Sequence, residues 1–356
     1  MTDEIRFERR GRLGVAVLDR QAALNALSRG MVRALSAQLA IWRVDPGIAA
    51  VLVKAAPGRA FCAGGDIIAA TESAKRDGVA AVTPFFHDEY RLNWRVHTFP
   101  KPYIALLDGI TMGGGVGISV HGSFRVATER TLFAMPETGI GFFPDVGATW
   151  FLPRCPGEVG MYLGLTGARL GGADCLAAGL CTHAVPAAAL AALETALERC
   201  AAEPEAHRAV ADCLAAHAGD IGAPGLPALR GAIDAGFAGG ELGEILAALA
   251  GTPGDAAAGW CRQLGQKSPT SLVLTCAQLR RGRALEIEAA LRLEYRMVHR
   301  VLAGHEFAEG VRALLVDKDR MPRWRPPTPA EVDMAEIDAH FAPLPGGDLP
   351  FDWNGV

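Results

Sequence analysis

The sequence predicts an α/β protein on three observations. Short apolar runs of strand character alternate with segments whose apolar residues recur three and four positions apart, and this order repeats along the N-terminal part of the chain. Glycine clusters stand where a strand run gives way to a helix start. Further on the chain turns alanine-rich, with leucines at helical spacing and prolines between the runs.

In chain order, the charged opening Met1 to Arg10 runs into the alternating segment Gly14 to Leu18, expected as the first strand rather than an export signal. Ser28 stands ahead of Met31, Leu35, Leu39 and Trp42, which marks an amphipathic helix with Ser28 as its N-cap. Ile48 to Val53 is the next strand, closed by the turn Ala56 to Arg59. Residues 67–99 form a longer insert, helical from about Val82 because Phe86, Tyr90 and Trp94 fall on one face. Tyr103 to Leu107 and Phe124 to Ala127 follow as strands. From Pro186 to about Leu264 helices are expected, with Leu190, Leu193, Leu197 and Cys200 on one stripe and breaks at Pro204, Pro224 and Pro253. Leu272 to Leu279 and Ile287 to Leu302 read as longer helices, and Pro322 to Pro329 is expected to end the packed region.

Half of the 356 residues are hydrophobic and the mean hydropathy is +0.18, enough for a large core, in one large domain or two. No apolar run reaches the roughly 18 residues of a spanning helix, so no membrane association is expected. A net charge of −4 gives no electrostatic reason to expect nucleic acid. The eight cysteines are scattered without a CxxC pair or metal-like spacing, and are expected as reduced thiols in a cytoplasmic protein with no metal site.

The chemistry concentrates in two glycine turns and two acids. Gly113 to Gly115 follow the strand run Tyr103 to Leu107, and Gly64-Gly65 follow the run that ends near Val53. Glycines there let the backbone turn tightly and leave N–H groups free to face a cleft, where a pair of them would stabilise a developing oxyanion. Glu137 lies in Ala134-Met-Pro-Glu-Thr-Gly139 and Asp145 in Phe142-Phe-Pro-Asp-Val-Gly147. A carboxyl among Met, Phe and Pro is desolvated, which raises its pKa and makes it a better base. A P-loop is excluded because no Lys follows the glycines, a dinucleotide fingerprint because Ile118 and Val120 stand where glycine is required, and a serine nucleophile elbow by His121. Blander roles stay open at this point: a packing turn for the glycines, helix N-caps for Asp145 and Asp66, a buried paired acid for Glu137, although no cation is evident near it, and a structural role for His121.

Several segments together carry a family resemblance: AFCAGGDI (60–67), KPYIALLDGITMGGGVGISVHGSFRVAT (101–128), FAMPETGIGFFPDVGATWFLPR (133–154), LTGARLGGADCLAAGL (165–180), SPTSL (268–272), EYR (294–296) and GHEFAEGVRALLVDKDRMPRW (304–324). In this order they resemble the crotonase, or enoyl-CoA hydratase/isomerase, superfamily, and within it the branch that hydrolyses short 3-hydroxyacyl-CoA thioesters. The resemblance implies a ββα spiral core over residues 1–190 that carries the site, and a helical region over 191–356. It implies that the Gly65 and Gly114 amides hold the thioester oxygen and that Glu137 acts as nucleophile or general base. Asp145 would orient the 3-hydroxyl or protonate the leaving thiolate. Glu89 would contact substrate, although pattern alone would equally make it a solvated helix-face glutamate.

One departure from most of the superfamily carries weight. Where hydratases use two glutamates on the substrate water, the first position falls here on Gly117 and only the second, Glu137, is acidic. A glycine transfers no proton, so two-glutamate hydration is disfavoured. The implied substrate is a 3-hydroxyisobutyryl thioester of valine catabolism, with CoA as part of the substrate and no cofactor. A 3-hydroxypropionyl chain, one methyl smaller, differs by only about 1–3 kcal/mol of discrimination. An enoyl-CoA isomerase or hydratase working through Glu137 alone, a non-catalytic CoA-binding subunit, and a homo-oligomeric state remain open.

Overall fold

The computed structural model describes residues 3–353; residues 1–2 and 354–356, at the ends of the two expected regions, lie outside the described residues. Its strands are β1 (Ile5–Arg10), β2 (Leu13–Leu18), β3 (Ala50–Ala55), β4 (Ala60–Cys62), β5 (Tyr103–Leu107), β6 (Ile110–Met112), β7 (Phe124–Ala127), β8 (Leu132–Ala134), β9 (Leu170–Gly171) and β10 (His183–Ala184). They form a six-stranded sheet in the order β1-β2-β3-β5-β7-β10 and a four-stranded sheet in the order β4-β6-β8-β9.

The chain visits the two sheets in alternation. β3, β5 and β7 each lie in the large sheet and are followed at once by β4, β6 and β8 in the small one, after which the chain runs through helical turns and returns. Pairing along each series is parallel, β3 with β5 with β7 and β4 with β6 with β8, so each circuit stacks on the one before. The corner between β5 and β6 needs Gly109, whose φ of +110° suits glycine alone and whose missing side chain lets the Arg59 carbonyl pack against it.

Both faces of the large sheet are covered, which explains why β2, β3 and β5 read as continuous apolar runs. On one face Val15, Leu52 and Leu106 meet Leu193, Leu197, Val210 and Leu214, from the helices Leu190–Cys200 and Ala206–Ala216. On the other, Ala16, Val51, Val53 and Ala105 join the main core with Leu35, Leu39 and Trp42 of the helix Arg29–Val44. That helix starts as its sequence predicts, with the Ser28 hydroxyl accepting from the Met31 N–H.

Two expectations need correction, and one part of the fold gave no signal. The charged N-terminus is itself a strand, β1, antiparallel to β2. It is an edge strand whose burial alternates irregularly and whose outer face carries ion pairs such as Arg10 with Glu194, so its apolar signal is weak. The small sheet is built from strands of two or three residues, too short for any periodicity to register. The packed region also does not end at Pro322 to Pro329. The chain returns through the helix Met334–Phe341, buries Ile337 and Leu349, and stacks Phe351 on Trp94 with ring centroids 5.6 Å apart. The prolines redirect the chain, and ion pairs such as Arg296 with Asp348 hold the returning segment.

Candidate active site

The two glycine turns meet because β4 and β6 are neighbours in the small sheet. Gly113 has φ +46° and ψ −121°, and Gly64 has φ +124°, backbone shapes that side chains disfavour strongly. A methyl group on Gly114 would lie 3.2 Å from the Gly65 amide nitrogen and 2.5 Å from a carboxyl oxygen of Glu89. The two loops therefore converge, and neither the Gly65 nor the Gly114 N–H has a protein acceptor among the described residues. This is the arrangement an oxyanion hole requires.

A cavity of about 730 Å³ opens in front of these amides, lined by both glycine turns, Glu89, Glu137 and Asp145, together with Phe85, Ile67, Leu315 and Lys318. Glu89 comes from the helix Thr83–His97, Glu137 opens the short helical turn Glu137–Ile140 after β8, and Asp145 sits in the next loop. The three are only 2, 7 and 5 % exposed. Burial pushes Glu137 well above the ordinary glutamate range; the charge of Asp145 adds to the rise, while its own backbone N–H and Lys267 oppose it. Burial likewise raises Glu89, helped by Asp145 and Glu137. Asp145 is lifted by burial to about 7 against a 2.8 Å hydrogen bond from the Tyr90 hydroxyl. One oxygen each of Glu89 and Glu137 is buried without a partner among the described residues. Three carboxyls on one cavity with no cation bonded to them among the described residues are costly to stability and are expected where chemistry needs a base.

Asp145 lies in a strained turn. Val146 has φ +53°, unusual for a β-branched side chain and worth about 1–3 kcal/mol. Buried polar groups from several elements hold it. His121 Nε2 donates to the Val146 carbonyl at 2.7 Å, Gln278 donates to the Pro144 carbonyl at 2.7 Å, and Glu294 accepts from the Gly147 and Thr149 N–H groups at 2.7 and 2.8 Å.

All five residues singled out in the sequence, Gly65, Glu89, Gly114, Glu137 and Asp145, line this one cavity. The structure corrects the blander readings in part. Asp145 is not a helix N-cap, since Gly147 occupies that position before Ala148–Phe151 and the carboxyl instead receives Tyr90. Asp66 does cap, accepting from Ala69 at 3.1 Å while pairing with Arg20. Glu89 is buried rather than solvated, and Glu137 does have a cation in its surroundings, the partly buried Lys267, which comes from the distant segment ahead of the helix Pro269–Gly282. Sequence reasoning assigned Tyr90 to the apolar stripe of its helix and gave Lys267, Gln278 and Lys318 no role. Only Tyr90 offered a signal, its place beside Glu89.

Packing at Gly117 explains the missing first glutamate. A methyl group there would come within 2.6 Å of the Asn93 amide nitrogen and 2.7 Å of Val146 Cβ. The position lacks an acid and also lacks room for one.

Comparison with known proteins fits this geometry. The enoyl-CoA hydratase/isomerase family model matches residues 13–341, and the chain belongs to that family. Among its relatives, the mitochondrial 3-hydroxyisobutyryl-CoA hydrolase of Xenopus laevis is 44% identical, over 95% of this chain and 89% of that protein. The human protein of the same name is 42% identical, over 98% and 91%. Two solved structures superpose closely: a carnitinyl-CoA dehydratase from Mycobacterium thermoresistibile, with TM-score 0.91, 39% identity and all of both chains covered, and an enoyl-CoA hydratase from Rhodobacter sphaeroides 2.4.1, with TM-score 0.89, 40% identity and 98% and 100% covered. The fold is the crotonase fold. The expectation of a cytoplasmic protein is overturned, because the curated relatives are mitochondrial. Free thiols suit any reducing compartment and so could not single one out.

Proposed function

We propose that the protein hydrolyses a short 3-hydroxyacyl-CoA thioester, with 3-hydroxyisobutyryl-CoA as the substrate, giving CoA and 3-hydroxyisobutyrate as in valine catabolism. The observation that carries this reading is the pairing of a complete Gly65/Gly114 amide pair and Glu137 with a Gly117 that has no space for a second acid. The names of the two superposing structures favour dehydratase or hydratase chemistry for those proteins, whereas the curated relatives are hydrolases. The packing at Gly117 is the reason to prefer hydrolysis here.

In this reading the thioester oxygen enters between the two amides, which stabilise the negative charge that grows as the carbonyl is attacked. Glu137 either attacks the carbonyl carbon, expelling CoA thiolate and leaving a mixed anhydride that water then cleaves, or takes the proton of the attacking water. Asp145, held by Tyr90, faces the 3-hydroxyl or the departing sulfur, and Glu89 closes the acyl end. The reading calls for no cofactor beyond the CoA of the substrate.

A panel of acyl-CoA and enoyl-CoA compounds tests it. Release of free thiol from 3-hydroxyisobutyryl-CoA, with no hydration of crotonyl-CoA, is expected; hydration without thiol release would overturn the proposal. Gly117→Glu is expected to disrupt the site rather than create a hydratase, because the new side chain must displace Asn93 and Val146. Gain of crotonyl-CoA hydration in that variant would count against the packing argument.

The pH dependence follows from the sign of the Glu137 shift. Glu137 must be ionised to act, so activity is lost as pH falls through its raised pKa, and the acid limb lies well above the value near 4.3 of a free glutamate. Lys267→Met removes a charge that favours the ionised form and is expected to move that limb higher still. A limb that stays in place or moves down would show that Lys267 does not act on Glu137.

A further inference from the structure

The buried polar groups around residues 144–149 come from elements far apart in the chain. Gln278 lies in the helix Pro269–Gly282, Glu294 in the helix Ile287–Ala303, and His121 in the loop after Gly114–Gly117. Each is at most 6 % exposed. Each bonds the backbone of one turn, Gln278 also reaching the Thr149 hydroxyl, and that turn contains the buried Val146 with its left-handed backbone. His121 donates through Nε2 and burial pushes its pKa down to about 3, so it acts as a neutral ring and not as an acid or base. Glu294 stands close enough to Asp145 for their charges to interact, yet it does not line the cavity and makes its bonds only to the turn.

We propose that Glu294 is a positioning residue for Asp145: by accepting from the Gly147 and Thr149 amides with its two oxygens, it holds the left-handed Val146 turn in the shape that presents the Asp145 carboxyl to the cavity. Gln278 and His121 secure the carbonyls of the same turn. Without Glu294, two buried N–H groups lose their acceptor and Val146 gains by relaxing to an ordinary backbone, which swings the preceding residue. The C-terminal helical region thereby supplies part of the catalytic geometry while touching no substrate. The effect on turnover rests on the hydrolase reading; the effect on the turn does not.

Glu294→Gln keeps the shape of the side chain but turns an amide NH₂ toward one of the two N–H groups, so a donor meets a donor. Thiol release from 3-hydroxyisobutyryl-CoA should fall by about 10- to 100-fold in kcat, the scale of a small misplacement, while KM changes by less than about threefold. Amide hydrogen exchange in the free protein should accelerate at Gly147 and Thr149 by at least about tenfold, with protection elsewhere retained. Leu293→Ala, a core truncation at the adjacent position of the same helix, is the control: it should lower the melting temperature at least as much and leave kcat within about twofold. If Glu294→Gln lost no more kcat than Leu293→Ala, the positioning role would be overturned and the hydrolase reading would stand. If the wild type released no thiol, the hydrolase reading would fail and the exchange measurement alone would decide, unchanged protection at Gly147 and Thr149 overturning the clamp. Should Glu294→Gln not fold, Gln278→Met removes the bond to the Pro144 carbonyl, and the same split between kcat and KM is expected, an unchanged kcat again overturning the proposal.

Discussion

Glu137→Gln is expected to reduce thiol release from 3-hydroxyisobutyryl-CoA by about 10²–10⁴-fold, the usual contribution of a positioned base, and by more if Glu137 is the nucleophile. The amide keeps the volume of the side chain but can neither take a proton nor form an anhydride. KM should change little, because the oxyanion amides and the outer walls of the cavity are untouched. The same variant also has a predicted effect on stability. A carboxyl whose folded pKa is raised binds more protons in the folded than in the unfolded state, so its contribution is present at low pH and is lost as pH rises through the raised value. Glu137→Gln should therefore melt at a higher temperature than the wild type at pH 8 and show little advantage at pH 4. A variant that loses activity and also loses stability at pH 8 would mean that the charge on Glu137 is well compensated in the native protein, against the burial described above.

Gly114→Ala keeps the N–H but blocks the approach to it, and is expected to cost about 10²–10³-fold in kcat, the scale of losing one oxyanion donor. The added methyl would press on the Glu89 carboxyl at 2.5 Å and the Gly65 amide nitrogen at 3.2 Å, so it intrudes where the thioester oxygen is to sit. Unlike Gly113, Gly114 starts an ordinary helical turn, and alanine is tolerated there by the backbone. The variant should consequently fold and fail in turnover. Full activity in Gly114→Ala would show that the added methyl does not crowd the thioester oxygen, against its placement between these two turns.

Much of the site was legible in the sequence because its parts are local. Gly65, Gly114, Glu137 and Asp145 each sit in a short motif whose composition signals its chemistry, glycines after a strand and acids among apolar residues. Their meeting in space was inferred from the resemblance rather than from spacing, since β4 and β6 are too short to announce a second sheet. What tunes the acids was not legible. Gln278 and Glu294 reach the site from helices, and Lys267 from the loop ahead of one, more than a hundred residues downstream, and a single charged or amide residue there looks like any surface position until the fold brings it to the site. The closing segment after Pro329 was misjudged for a related reason: its burial depends on a few residues, among them Phe351 and Trp353, which meet Trp94 across the fold and follow no period.

The most direct measurement is a structure of the protein bound to a non-hydrolysable analogue of 3-hydroxyisobutyryl-CoA in which a methylene replaces the thioester sulfur. The carbonyl oxygen should accept from both the Gly65 and Gly114 N–H groups at about 2.7–3.1 Å, with the Glu137 carboxyl on the face of the carbonyl carbon. A carbonyl turned away from those amides, or Glu137 directed outside the cavity, would contradict the mechanism.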